Sequence, residues 1–179
     1  MIQPRRRKTS TIPKASKSRS SPKVRTPSAS STSPKSELES FIVRYLPEVA
    51  SEGRAVLAKI RRLVPGAIEL VYDNYNWLVV GFCPSERASD GVLSVVFTPR
   101  WITLCFLQNG PTLSDPDGLL RGSGKRVRNI RLESAADLDR RSVRALITEA
   151  LARARVPIEG KRGRIVIRSI SAKQRPRRP

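Results

Sequence analysis

Apolar residues recur at helical spacing in three stretches of the chain and gather into strand-like runs in five others. Leu38, Phe41, Ile42 and Tyr45 follow the three-and-four spacing of a helix face. Ser36 and Glu39 form Ser-x-x-Glu, a capping box that satisfies the first free N–H groups, so this helix is predicted from Ser36. Pro47 either breaks that run or opens the next element. A second helix is predicted over 49–64, with Val56, Leu57, Ile60, Leu63 and Val64 inward and Arg54, Arg61 and Arg62 toward water. Pro65-Gly66 ends it. A third helix is predicted from Ser134, capped with Asp137, with Val143, Leu146, Ile147, Ala150 and Leu151 inward.

The strand runs are "WLVVGF" (77–82), "VLSVVFT" (92–98) and "WITLCFL" (101–107), with Pro99-Arg100 as a tight link that implies antiparallel neighbours. "RVRNIRL" (126–132) alternates with mixed faces and is predicted as an outer strand, and "GRIVIRSI" (163–170) as an edge strand docked on the body. Two helices, then strands, then a helix give an α+β fold: a two-layer sandwich with helices on one face of a mostly antiparallel sheet.

Charge divides the chain. Of the net +20, residues 1–36 carry +10 and residues 161–179 carry +8, both without an acid, which leaves +2 on the middle. Residues 1–36 are Ser, Thr, Pro, Lys and Arg with few apolar groups, so they bury too little surface to offset the entropy of ordering and are predicted to be disordered. They lack the apolar core of a secretory signal, and five prolines oppose the amphipathic helix of a transit peptide. The domain layout is therefore a basic tail (1–36), an α+β domain (37–170) and a second basic tail (171–179), in which Pro176 and Pro179 oppose sheet formation.

A flexible cation string attracts polyanions by releasing condensed counterions. Arg5, Arg6, Arg7, Lys8, Lys14, Lys23 and Lys35, with Arg175, Arg177 and Arg178, are the candidate contacts to DNA, RNA or another polyanion. The Ser-Pro-Lys units at 21–23 and 33–35 resemble those of linker-histone tails. Such binding is sequence-blind, since no aromatic in the N-terminal tail stacks on bases. A purely solubilising role stays open beside it.

The chain has no histidine, which excludes Ser-His-Asp and Cys-His catalysis and imidazole metal sites. Cys83 and Cys105 lack ligand spacing and read as small buried hydrophobes. Unpaired thiols fit a reducing, cytoplasmic setting. No apolar run approaches the ~20 residues of a bilayer span, so no membrane is expected. No metal, no cofactor and no catalytic constellation is predicted.

"GLLRGSGKRVR" (118–128) invites a phosphate-loop reading. A Walker loop needs glycine where Leu119 stands and a hydroxyl where Arg126 stands, and it joins a strand to a helix. The stretch is instead a cationic turn in which Gly122 and Gly124 supply positive φ. Its cations are either solvated or hold an anion.

"ELVYDNYNWLVVGF" and "PRWITLCFLQNGPTLSDPDGLLRGSGKRVRNIRLESAADLD" resemble the YdhG-like family, a mainly bacterial domain of unknown function, over roughly 37–155. The resemblance implies a small α+β domain with a curved antiparallel sheet. One branch of that family is described as frataxin-like, which implies iron handling as an alternative function. Iron needs clustered carboxylates or imidazoles, whereas the acids here are scattered. A small-anion site on the open sheet face is the other alternative, with Tyr72, Asn74, Asn76, Trp77, Arg100, Trp101, Arg121 and Lys125 as candidate ligand-binding residues. Against it stands the reading that both tryptophans pack at the core margin and that Asp73 and Asn74 form a turn.

Overall fold

The computed structural model describes residues 33–160 and 162–179. The expectations for Arg5, Arg6, Arg7, Lys8, Lys14, Lys23 and the rest of residues 1–32 lie outside the described residues.

Proline, not the Ser-x-x-Glu box, sets the first helix. Helix α1 spans Pro34–Ile42; Ser33 is its N-cap, and its hydroxyl accepts from the Ser36 N–H at 3.2 Å. Proline at the first helical position has φ already set and lacks only an N–H that would go unused. Ser36 therefore lies inside the first turn, and Lys35 belongs to the helix rather than to a tail. Pro47 likewise opens α2, Pro47–Leu63. The third helix starts later than its box suggests. Ser134 and Asp137 do cap each other, but over a 3-10 segment, Ala135–Asp139, and α3 runs Arg141–Ala152.

Six strands form one sheet: β1 Ile68–Asp73, β2 Leu78–Cys83, β3 Leu93–Phe97, β4 Ile102–Phe106, β5 Arg128–Leu132 and β6 Arg164–Ile170. Their order is β5-β4-β3-β2-β1-β6. All neighbours are antiparallel except β1 and β6, which run parallel. The outer strand β5 and the edge strand β6 stand where the pattern placed them. β1 was not among the predicted strands, because its alternation is disguised: the helix-side positions Glu69, Val71 and Asp73 include two buried acids.

The register separates the two sheet faces. Val71, Val80, Val95, Leu104 and Ile130 stand abreast and join the helices in one core cluster, together with Phe82, Phe97 and Phe106. The opposite face carries two rows outside that cluster: Leu70, Gly81, Ser94, Cys105 and Asn129, then Tyr72, Val79, Val96, Thr103 and Arg131. Among the described residues the helices lie on one face of the sheet, which makes this the α+β two-layer sandwich expected.

The C-terminal residues depart from expectation. Residues 171–178 do not hang free. Asp73 is fully buried at the end of β1 and accepts from Arg44, Gln174 and Arg177, the last at 2.7 Å. Arg177 is 5% exposed, Arg178 donates to the carbonyls of Arg44 and Tyr45, and the Arg175 N–H donates to Tyr75. A buried carboxylate needs a paired cation, and the chain brings one back from its end.

Candidate functional site

The predicted ligand-binding residues do not form one pocket. They divide between opposite ends of the sheet, which the five residues of β4 separate by about 16 Å at ~3.3 Å per residue. At the end where β4 finishes lies a cleft of about 530 Å³ whose cations are Lys125, Arg126, Arg153 and Arg155. At the end where β4 begins are the turns that hold Asn74, Asn76, Trp77, Arg100 and Trp101. Tyr72 lies on the open face, and Arg121 bridges Asn129 beside β5.

The cleft is assembled from three distant segments. Asn109 takes left-handed backbone (φ 55), which turns the chain after β4 into a 3-10 segment, Gly110–Thr112. The Gly110 N–H donates to the Arg126 carbonyl at 2.9 Å. A Cβ at Gly110 would lie 2.6 Å from the Arg128 nitrogen, so only glycine lets the segment from Lys125 to Arg128 come this close. The end of α3 supplies the other wall. The Asn109 side chain donates to the Arg153 carbonyl, and the Arg153 guanidinium reaches the Thr112 carbonyl and Glu149. Buried Gln108 accepts from the Arg155 N–H and donates to the carbonyls of Asp90 and Gly91. The scaffold's own polar groups are thus satisfied by each other.

Charge in the cleft is unbalanced. Arg153 pairs with Glu149 at 2.7 Å, and Arg155 approaches Asp90 at 3.4 Å. Among the described residues no carboxylate comes within salt-bridge distance of Lys125 or Arg126. A backbone hydrogen bond from Ser114 and the Arg153 guanidinium hold the Glu149 carboxyl below its ordinary value, so it stays ionised. Two cations remain for a ligand, and the chemistry they suit is a phosphate or a like anion.

The glycine turn differs from its prediction in one detail. Gly122 has positive φ, as expected, but its partner is Gly118 rather than Gly124. Asp115 is a turn-former: its carboxylate accepts from the N–H groups of Leu119 and Leu120.

At the other end, Trp101 packs under the Arg131 guanidinium, 4.5 Å from the ring centre. Trp77 is 48% and Trp101 37% exposed, so neither is sealed in the core. Of the expected Asp73–Asn74 turn, Asn74 does open the hairpin turn, its N–H on the Trp77 carbonyl, whereas Asp73 ends β1 as the buried ion-pair centre described above.

The cysteines are set against nucleophilic work. Burial pushes the Cys83 thiol up to about 11, and burial also raises Cys105. Among the described residues no group of three His, Cys, Asp or Glu side chains is arranged to hold a metal ion. No helix of the described residues is long and apolar enough to cross a membrane.

No family model, curated protein or solved structure matches the chain.

Proposed function

We propose that the protein is a non-catalytic nucleic-acid-associating module of YdhG-like type, in which the folded body takes backbone phosphates in the Lys125–Arg126 cleft. The observation that carries this reading is the convergence of Lys125, Arg126, Arg153 and Arg155 on one cleft where only two of the four have acidic partners. A surface cation without a partner is ordinary; four in one concavity focus a positive field and raise the local concentration of an anion. The +10 on residues 1–36 adds a sequence-blind attraction for the same polyanion. Arg177 takes no part, because its charge is buried against Asp73. The raised cysteine thiols support a binding rather than a thiolate-based role.

The test is fluorescence anisotropy with labelled duplex DNA on the full chain. A K125Q/R126Q variant should bind several-fold more weakly than the parent. A control, R62Q/R141Q, removes as much charge from exposed positions on α2 and α3 and should stay close to the parent. Equal losses in the two variants would reduce the cleft to general charge. A second arm with inorganic phosphate separates a small-anion site from a backbone site: if phosphate at millimolar concentration raises the melting temperature while DNA does not bind, the ligand is a free anion.

A further inference from the structure

The chain sorts its aromatic residues by chemistry. All four phenylalanines, Phe41, Phe82, Phe97 and Phe106, are buried in the core. Of the three tyrosines, Tyr45 is buried, and its hydroxyl is used between Leu78 and Phe97. Tyr72 and Tyr75 and both tryptophans lie instead at the open end of the sheet or on its open face. Folding alone gives no reason to leave both tryptophans of a chain half exposed, since a buried indole contributes more to stability than an exposed one.

Their placement is regular. Trp77 precedes Leu78 on β2, and Trp101 precedes Ile102 on β4; Leu78 and Ile102 both stand opposite Phe97. Both stand one residue before their strands, at the rim of the sheet, where Trp101 stacks with Arg131 of the open-face row and also borders α2. One strand lies between them, so their backbones are about 10 Å apart. Four-residue turns hold both positions, with Asn74 N–H on the Trp77 carbonyl and Thr98 N–H on the Trp101 carbonyl, each at 3.0 Å.

Cations accompany the rings. Arg131 lies over Trp101, and Arg175 lies 5.6 Å from the centre of Tyr75. Arg100 has no acidic partner among the described residues. Neither complete row of the open face contains an acid. Glu48 and Glu52 of α2 line a hollow together with Arg100, Trp101 and Arg131, and Glu133, in the same hollow, is paired with Arg131 at 3.4 Å. The row beside the rings is low and half-buried, Val79, Val96 and Thr103, and Gly81 and Ser94 in the row behind it are buried.

We infer that this face and its rim are a stacking platform for single-stranded nucleic acid, with Trp77 and Trp101 each taking a base and Arg100 and Arg131 the adjoining phosphates. The inference rests on the nucleic-acid reading of the cleft and gives it a strand preference. Exposed indoles suit unpaired bases because every base has a π-face, whereas a duplex hides its bases from such rings. β4 and β5 span the distance between the tryptophan rim and the Lys125–Arg126 end, so cations stand at both ends of the sheet.

The experiment titrates the full-length protein with oligothymidylate, with an abasic oligomer of equal length and charge, and with duplex DNA, and follows tryptophan fluorescence and anisotropy. Oligothymidylate should bind more tightly than the abasic oligomer and quench the fluorescence. W77A/W101A should lose about fivefold or more for oligothymidylate and nothing for the abasic oligomer. W77F/W101F keeps a stacking ring and should retain most of the affinity, and R131Q, which leaves both indoles in place, should cost about twofold or more. If oligothymidylate and the abasic oligomer bind alike without quenching, the platform is overturned while the cleft reading stands. If none of the three ligands binds, both readings fall. If W77A/W101A converts a dimer to a monomer and leaves oligothymidylate affinity unchanged, the rim is a contact between copies of the chain and the platform is overturned.

Discussion

Asp73 sits in an interior strand and cannot escape to water, whereas its partners Arg44 and Arg177 come from a helix connection and from near the chain end. Removing the acid therefore strands Arg177, whose Nε and Nη1 already meet no acceptor among the described residues. Asp73→Asn should cost about 3 kcal/mol in urea denaturation. It should also free residues 171–178, so that trypsin cuts after Lys173 in the folded variant but not in the parent. The cysteines give a second residue-scale expectation. Cys83 keeps its proton to about 11, above the ordinary thiol value of 9.0. The folded state thus binds that proton more tightly than the unfolded chain, so this contribution to stability is present below 9 and lost as pH rises toward 11. The buried Tyr45 hydroxyl, raised mainly by burial, acts in the same direction. Melting temperature should fall across that alkaline range, and a thiol reagent at pH 7.5 should label the native protein far more slowly than the urea-unfolded chain.

Elements show where local chemistry is legible and where it is overridden. Ser33 caps α1 through one side-chain hydrogen bond, so Ser33→Ala should cost about 1 kcal/mol while Ser36→Ala costs little, as read from paired denaturation curves. All five predicted strands and all three helices were legible because their apolar spacing reports directly on the core. β1 was not, because Glu69 and Asp73 occupy helix-side positions that a strand normally gives to apolar residues. Each is rescued by a partner outside the strand: Arg61 holds Glu69 through two 2.7 Å bonds, and Arg177 reaches Asp73 from a hundred residues away. Lys125 was legible as part of a glycine-rich cationic turn. Arg153 and Arg155 were not, since they follow α3 in sequence and meet Lys125 only through the left-handed turn at Asn109 and the close approach at Gly110.

At the scale of the whole molecule the expected division of charge changes. The body was expected to be electrically quiet and both ends free and cationic. The C-terminal end is instead built into the fold, with Arg177 neutralised by Asp73, and the body has a cationic cleft of its own. On the proposed reading a polyanion meets the cleft at one end of β4 and the tryptophan rim at the other. Binding through phosphates has a signature that other attractions lack: log K falls linearly with log salt, by about 0.9 for each phosphate neutralised on a duplex. The most direct measurement is therefore the salt slope of duplex DNA binding for the parent and for K125Q/R126Q. The account requires a steep parent slope that becomes shallower by about 2 in the variant. A parent that binds DNA with the same slope whether or not Lys125 and Arg126 carry charge would contradict it.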